Sequence, residues 1–236
     1  MQPEIHFFRL TESYAILQCK ARPSKALLKF IVQLKKELQE VCERPLQHTY
    51  TEIGIDQCSA AIEIKIRNIS NQFRYTQDDH IAQMIEIPVC YDPTLALDIE
   101  DFAQEKKQSV SQIVALHTKP NYLVYFNGFL PGFPYLLGLD EQLHCPRKST
   151  PVLKIPKGTV AIGGDQTGIY PQESPAGWWN IGHCPLPLFS VSKPDNLLLN
   201  AGDHIRFYAV SLEEHAQISD EIKNDKFSPK RTSYAW

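Results

Sequence analysis

The chain has 236 residues, 22% of them charged and 43% hydrophobic, and a formal net charge of -3. That length suits one large domain or two small ones, each with its own core, and the charge offers no basic stripe to nucleic-acid phosphates. The N-terminus, MQPEIHFFRL, lacks the apolar core of a signal peptide, and no apolar run is long enough to span a bilayer, so a cytoplasmic protein with no membrane or nucleic-acid partner is expected.

Residues 4 to 19 read as two short strands, EIHFFRL and ESYAILQC, joined at Thr11. Pro23 is placed in the first turn of a helix, where its missing N–H is harmless. Leu27, Ile31, Leu34, Leu38 and Val41 follow at spacings of four and three, which is one apolar helical stripe. TYTEIGI and SAAIEIKIRN read as strands, the second because Ile62, Ile64 and Ile66 alternate with Glu63, Lys65 and Arg67. This gives a small N-terminal α/β domain over residues 1–80, with its boundary expected between residues 69 and 90.

EIPVCYD then reads as a strand, and LDIEDFAQEKK and SVSQIVALHT as two short helices, the second opened by a Ser109–Gln112 capping box. Asp101 and Glu105, one turn apart, read as solvated carboxylates rather than an acid/base pair. From NYLVYFNGF onward, Pro and Gly punctuate short apolar runs, the pattern of a closed or sandwiched β domain, taken here as residues 86–215. Residues 216–236 are charged and aperiodic and read as a helix turn with a loose tail. The fold class is therefore α+β.

Six cysteines are scattered without a C-x-x-C pair, so buried, reduced thiols are expected. His144-Cys145 and His183-Cys184 suggest zinc, but neighbours on a strand point to opposite faces, and no metal is expected.

Three motifs remain. In GGDQTGIYP, the run Gly163, Gly164, Asp165, Gln166, Thr167, Gly168 has neither the Lys-Ser/Thr of a phosphate loop nor dinucleotide spacing. Its glycines permit close backbone approach, and Gln166, Thr167 and Asp165 add polar groups. Tyr170, Trp178 and Trp179 supply flat walls, so the segment is a candidate ligand- or partner-facing loop, with a plain barrel corner as the alternative. In GFLPGFPY, Pro131-Gly132 signals a turn that would present Phe133 and Tyr135 at a rim, or bury them beneath the barrel. In HCPRKSTP, Arg147 could clamp a carboxylate or phosphoryl oxygen. His183 could act as a base near neutral pH. Arg147 and His183 are the only catalytic candidates, and no nucleophile elbow, H-E-x-x-H or Ser-His-Asp order accompanies them.

GFLPGFPYLLGLD, PRKSTPVLKIPKGTVAIGGDQTGIYP and SPAGWWNIGHCPLPLF together resemble the Kip-inhibitor family, also called allophanate hydrolase subunit 1 or the carboxyltransferase C/D-type domain. The resemblance covers roughly residues 86 to 210. It departs at Leu10-Thr11-Glu12, where the family has a Gly-Asp or Gly-Glu turn. It departs again at Pro175-Ala176-Gly177-Trp178, where the family has Pro-Gly-Gly-Trp. The resemblance implies that the second domain is a cyclophilin-like β-barrel. It also implies a sister barrel subunit and a lactam-utilisation-type hydrolase subunit, acting together as an ATP-dependent 5-oxoprolinase that makes glutamate. ATP would belong to the complex, and neither metal nor biotin is expected on this chain. The alternative function is a protein-binding inhibitor of a histidine kinase. A prolyl isomerase, suggested by the barrel alone, lacks its motifs.

Overall fold

β1 (Glu4–Arg9) and β2 (Ala15–Lys20) open the chain as an antiparallel hairpin in the computed structural model, which describes residues 3–76, 81–191 and 197–235. After α1 (Lys25–Gln39), β3 (Gln47–His48) and β4 (Glu52–Ile55) complete a four-stranded antiparallel sheet of order β1-β2-β4-β3, and α2 (Ala60–Gln72) follows. Leu27, Ile31, Leu34 and Leu38 of α1 are buried with Leu17, Ile53 and Ile55 of the sheet. The helix starts two residues later than Pro23 suggests, at Lys25: Ser24 caps it by accepting a hydrogen bond from the Leu27 amide, which puts Pro23 just outside.

The alternating SAAIEIKIRN segment is not a strand. Ser59 accepts from the Ile62 amide and starts α2, whose Ile62, Ile66 and Ile69 face the core while Ile64 is exposed. The four- and three-residue spacing of those isoleucines satisfies a helix, and the capping serine decides between the two periods. The chain divides into two compact units, Met1–Asp79 and His80–Trp236. Part of the window expected to hold the boundary, residues 77–80, lies outside the described residues.

The second unit starts with β5 (Ile81–Cys90), then α3 (Ile99–Lys106) and α4 (Val110–Thr118), the latter opened by the Ser109–Gln112 capping box. Next come β6 (Tyr122–Asn127), β7 (Pro134–Leu137), β8 (Val152–Ile155), β9 (Thr159–Gly163), β10 (Gln166–Ile169), β11 (Ser174–Ala176) and β12 (Trp179–His183). β13 (His204–Val210), α5 (Leu212–Lys223) and β14 (Arg231–Ala235) end the chain. Seven strands run β12-β9-β10-β7-β6-β13-β5, and a β12–β5 pairing at His183 and Cys90 closes them into a barrel. Ile85, Ile87, Val124, Val160, Ile162, Ile169, Ile181 and Ile205 are buried within it, and α3 and α4 add Ile99, Phe102 and Ile113 to the same core. β8 and β11 form a separate two-stranded sheet.

The described part of residues 216–236 is not a loose tail. Ser211 and Glu214 form a reciprocal capping box that starts α5, Ile222 packs on the barrel core, and β14 pairs antiparallel with β5 from Arg231 opposite Ile85 onward. The S-x-x-E signal for α5 stands in the sequence. The edge strand has no such local signal, because a ladder of hydrogen bonds to β5 sets it rather than its own pattern.

Candidate functional site: an aromatic cavity beneath a two-stranded flap

The GGDQTG segment is the hairpin between β9 and β10. Gly163 pairs with Gln166, leaving Gly164 and Asp165 as a two-residue turn. Gly164 takes a φ of +71°, the first-position glycine of a type II′ hairpin. Alternation along the two strands then sends side chains to opposite faces of the wall. Val160, Ile162, Thr167 and Ile169 face the barrel core, whereas Ala161, Gly163 and Gly168 face outward beneath β8 and β11.

The outward glycines leave room for aromatic rings. A Cβ on Gly163 would lie 2.5 Å from Cδ1 of Trp178, and one on Gly168 would lie 2.8 Å from Cζ of Phe133. These rings therefore lie directly on the sheet, where any other residue would hold them off. Phe133, Tyr170 and Trp178 are buried with Ala161 and Ile155 in a cluster distinct from the barrel core. Phe133 is its hub. Its ring centroid stands 5.0 Å from that of Tyr170 and 5.6 Å from that of Trp178, both edge to face, and 5.1 Å from that of Tyr135. Edge-to-face pairs at such distances are each worth about 1 kcal/mol beyond area burial.

The Pro131-Gly132 turn puts Phe133 there. The Phe133 amide donates to the Leu130 carbonyl, and Gly132 has a φ of +82°, as a type II turn with proline at its second position requires. Phe133 does not form an exposed rim: it is 1% exposed, and Phe129, at 64%, is the outward aromatic. Tyr135 is half-buried, with its ring stacked on Phe126.

These side chains border a half-open cavity of about 280 Å³, lined by Phe129, Phe133, Tyr135, Arg147, Pro151, Tyr170, Trp178 and the β11 segment. Among the described lining residues Arg147 carries the only charge. The guanidinium carbon lies 5.9 Å from the Trp178 ring centroid. Burial raises the Tyr135 phenol and pushes that of Tyr170 up to about 12, and in both cases Arg147 opposes the shift. Both phenols are neutral hydrogen-bond donors at pH 7. Outside the cavity lining, Thr159 Oγ1, Ser174 Oγ and Asn180 Oδ1 are buried with no hydrogen-bond partner among the described residues.

Arg147 and Lys148 are adjacent but differently employed. Lys148 Nζ is 2.6 Å from Asp98 Oδ1, whereas no carboxylate lies within ion-pair distance of Arg147 among the described residues. Asp98 in turn accepts from the Asn180 amide, which fixes the Lys148 side of the loop to β12. Trp178 and Trp179 also part company. Trp179 packs on Phe102 of α3, and its Nε1 donates to the Pro146 carbonyl.

The other sequence candidates fall outside the cavity lining. Thr167 is fully buried: its hydroxyl donates to the Ala161 carbonyl at 3.0 Å and accepts from His117 Nε2 at 3.0 Å. Tyr91 donates to the remaining nitrogen of that imidazole at 2.7 Å. Desolvation pushes His117 down to about 3, so it is neutral. Nothing in the sequence around His117 marks it, because only the tertiary fold brings Tyr91, His117 and Thr167 together. His183 Nε2 donates to the Lys157 carbonyl at 2.9 Å, and His183 Nδ1 accepts from His215 Nε2 at 2.8 Å. Burial lowers both imidazoles. His183 is thus bonded at both ring nitrogens. Asp165 is exposed and Gln166 half-buried at the hairpin tip.

Comparison with known proteins places this geometry in a family. The profile of the carboxyltransferase domain, subdomain C and D, matches residues 6–199, which extends the resemblance into the first unit. A protein of Bacillus subtilis (strain 168), named as the B-type subunit of 5-oxoprolinase, is 36% identical over 165 residues, 69% of each chain. Proteins of the same name from Escherichia coli O157:H7 and Haemophilus influenzae are 47% and 44% identical, over 53% and 57% of this chain and 58% and 63% of their own lengths. A conserved uncharacterized protein of Pyrococcus horikoshii superposes with a TM-score of 0.54 at 31% identity, covering 89% of this chain and all of that one. The Kluyveromyces lactis urea amidolyase superposes with a TM-score of 0.81 over this whole chain and 16% of its own length; at 15% identity it shows the fold alone.

Proposed function

Because the chain belongs to the carboxyltransferase-domain family, subdomain C and D, we propose that it is the B-type subunit of an ATP-dependent 5-oxoprolinase. The observation that carries this reading is the name its curated relatives share, that of the B-type 5-oxoprolinase subunit. The reaction would add water across the lactam C–N bond of 5-oxoproline to give glutamate, with ATP consumed by the assembled complex. The partners would be a sister barrel subunit and a lactam-utilisation-type hydrolase subunit.

The cavity supports a binding role for this chain rather than the whole chemistry. No Ser, Thr, Cys, Lys, His, Asp or Glu stands among its described lining residues, so these offer no nucleophile–base pair to attack a lactam carbonyl. The His183–His215 pair is committed to each other and to a backbone carbonyl, and it is not in that lining. A chain that holds substrate and leaves activation to its partners fits both facts.

Reconstitution tests the reading. The purified chain is expected to give no glutamate from 5-oxoproline and ATP, and turnover is expected to appear once both partner subunits are added. Turnover by the lone chain would refute the shared-chemistry reading. Silence of the full set would refute the enzyme reading and favour the histidine-kinase inhibitor.

A further inference from the structure

We propose that the aromatic cavity is a site for a small ring carboxylate, with Arg147 holding the carboxylate and the rings of Phe133, Tyr135 and Trp178 flanking an apolar body. The inference deepens the 5-oxoprolinase reading and rests on it for the choice of ring, a five-membered lactam acid.

Three observations converge. The first is size: about 280 Å³ has room for a small ring acid. The second is the walls. Phe133, Tyr170 and Trp178 meet edge to face, leaving flat apolar surfaces at fixed angles, and Gly163 and Gly168 keep those rings seated on the sheet. A flat ring gains contact area in such a box and loses little freedom, because the walls are already packed. The third is charge. Arg147 is the one ionised group of the described lining, and no carboxylate of the described residues neutralises it, although its neighbour Lys148 is neutralised by Asp98. A guanidinium presents two parallel N–H donors to a carboxylate, which a single ammonium cannot do. Beside it, the neutral phenols of Tyr135 and Tyr170 add donors that suit an acceptor oxygen.

The opposite side of the 146–148 loop does not compete for the same ligand. Arg147 also borders a groove there, in which Asp98 is already paired with Lys148 while Asp101 and Glu105 repel an anion. The arginine therefore discriminates by side: anions belong with the aromatic rings.

The test is calorimetric titration of the full chain with L-5-oxoproline and, separately, with 2-pyrrolidinone, which keeps the lactam ring and lacks the carboxylate. The wild-type chain is expected to bind 5-oxoproline saturably and 2-pyrrolidinone at least tenfold more weakly. Arg147→Met keeps much of the aliphatic stem and removes the charge-assisted hydrogen bonds. It is expected to weaken 5-oxoproline binding by about tenfold or more, leave 2-pyrrolidinone binding unchanged, and leave the melting temperature in place. Trp178→Phe is expected to weaken both ligands. No saturable binding of 5-oxoproline to the wild-type chain would overturn the proposal, as would equal affinity for the two ligands or an affinity indifferent to Arg147→Met. If Arg147→Met lowers only the affinity for a partner subunit, the arginine is a protein contact and the proposal also fails. Turnover by the reconstituted complex without such binding would sink this site and spare the enzyme reading. Binding without turnover would do the reverse.

Discussion

The wall made by β9, β10 and β12 has two faces, and they are built on opposite plans. Inward, Val160, Ile162, Ile169 and Ile181 are fully buried and fill the barrel with their own side chains. Outward, the same strands offer Ala161, Gly163 and Gly168, and the bulk comes from rings delivered by other segments: Phe133 from the turn before β7, and Trp178 from the residue before β12. Strand alternation produces both faces from one stretch of sequence. The inner face is a closed core. The outer face is a seat, and what sits on it can border a cavity. Thr167 shows the difference for polar groups. Facing inward, it has two hydrogen bonds and no room for a ligand, while Thr159, Ser174 and Asn180 carry unpartnered buried oxygens among the described residues.

The strongest way to break the comparison is through the inner face. His117→Ala would open a cavity and leave the Tyr91 hydroxyl unpaired, at a cost of about 3–5 kcal/mol. His117 also makes stability depend on pH. Its folded value is about 3, below the roughly 6.5 of an unfolded histidine. Between those values the unfolded chain takes up a proton that the folded chain does not. The contribution is therefore complete above about pH 6.5 and is lost as pH falls, at about 1.4 kcal/mol per unit, or about 2 kcal/mol by pH 5. Denaturant titrations at pH 5 and 7 should show this loss in the wild type and a shallower slope in His117→Ala. An equal slope would mean that acid sensitivity resides elsewhere, for instance in His183 and His215, whose values are also lowered.

The next effect separates two kinds of glycine on the outer face. Gly163→Ala puts a methyl group into the Trp178 ring, and Gly168→Ala puts one against Phe133, with the Pro134 carbonyl 3.0 Å away. Overpacking of this kind costs about 1–3 kcal/mol, and the displaced rings should abolish ligand binding at the cavity. Gly164→Ala has open space around it and a φ of +71°, so its penalty is backbone strain of about 1–2 kcal/mol without ring displacement. Thermal melts paired with calorimetry should show 163 and 168 losing both stability and binding, and 164 losing stability alone. Binding retained in Gly163→Ala would mean that Trp178 does not wall the site.

How much of this is legible in the sequence follows the range of the interactions. The α1 stripe, the Ser109–Gln112 cap, the Pro131-Gly132 turn and the aromatic residues of the cavity are local patterns, and a sequence displays them. SAAIEIKIRN fits two periods at once, and only Ser59 as a cap resolves it. Whether Phe133 lies at a rim or beneath the barrel stays open in the sequence because exposure cannot be inferred from a turn, which fixes direction and not what lies opposite. The role of the glycines is a relation between Gly163 and Trp178 or Gly168 and Phe133, far apart in the chain. Their lack of a Cβ suggests close approach; that the approaching groups are the protein's own rings is tertiary information. β14 and the Tyr91–His117–Thr167 chain are of the same kind.

The smallest effect asks whether the outer face matters beyond the cavity. Gln166 pairs with Gly163 and so shares its face, but it does not line the cavity and is half-buried at the hairpin tip. Truncating such a side chain usually changes stability by about 0.5 kcal/mol or less, so Gln166→Ala should melt with the wild type. Its amide can both donate and accept, and a neutral hydrogen bond lost to a partner costs about 0.5–1.5 kcal/mol, roughly a twofold to tenfold loss of affinity. Affinity of the lone chain for 5-oxoproline should stay unchanged, because the amide is outside the cavity. Affinity for a partner subunit, or activity of the assembled complex, should fall within that range. This split outcome would make the hairpin tip a contact surface adjoining the ligand seat. If all three measurements match the wild type, the tip is a turn and nothing more, and the functional part of the outer face ends at Trp178. A lowered melting temperature with activity per folded molecule intact would instead assign Gln166 to the architecture of the hairpin, on the same footing as Gly164.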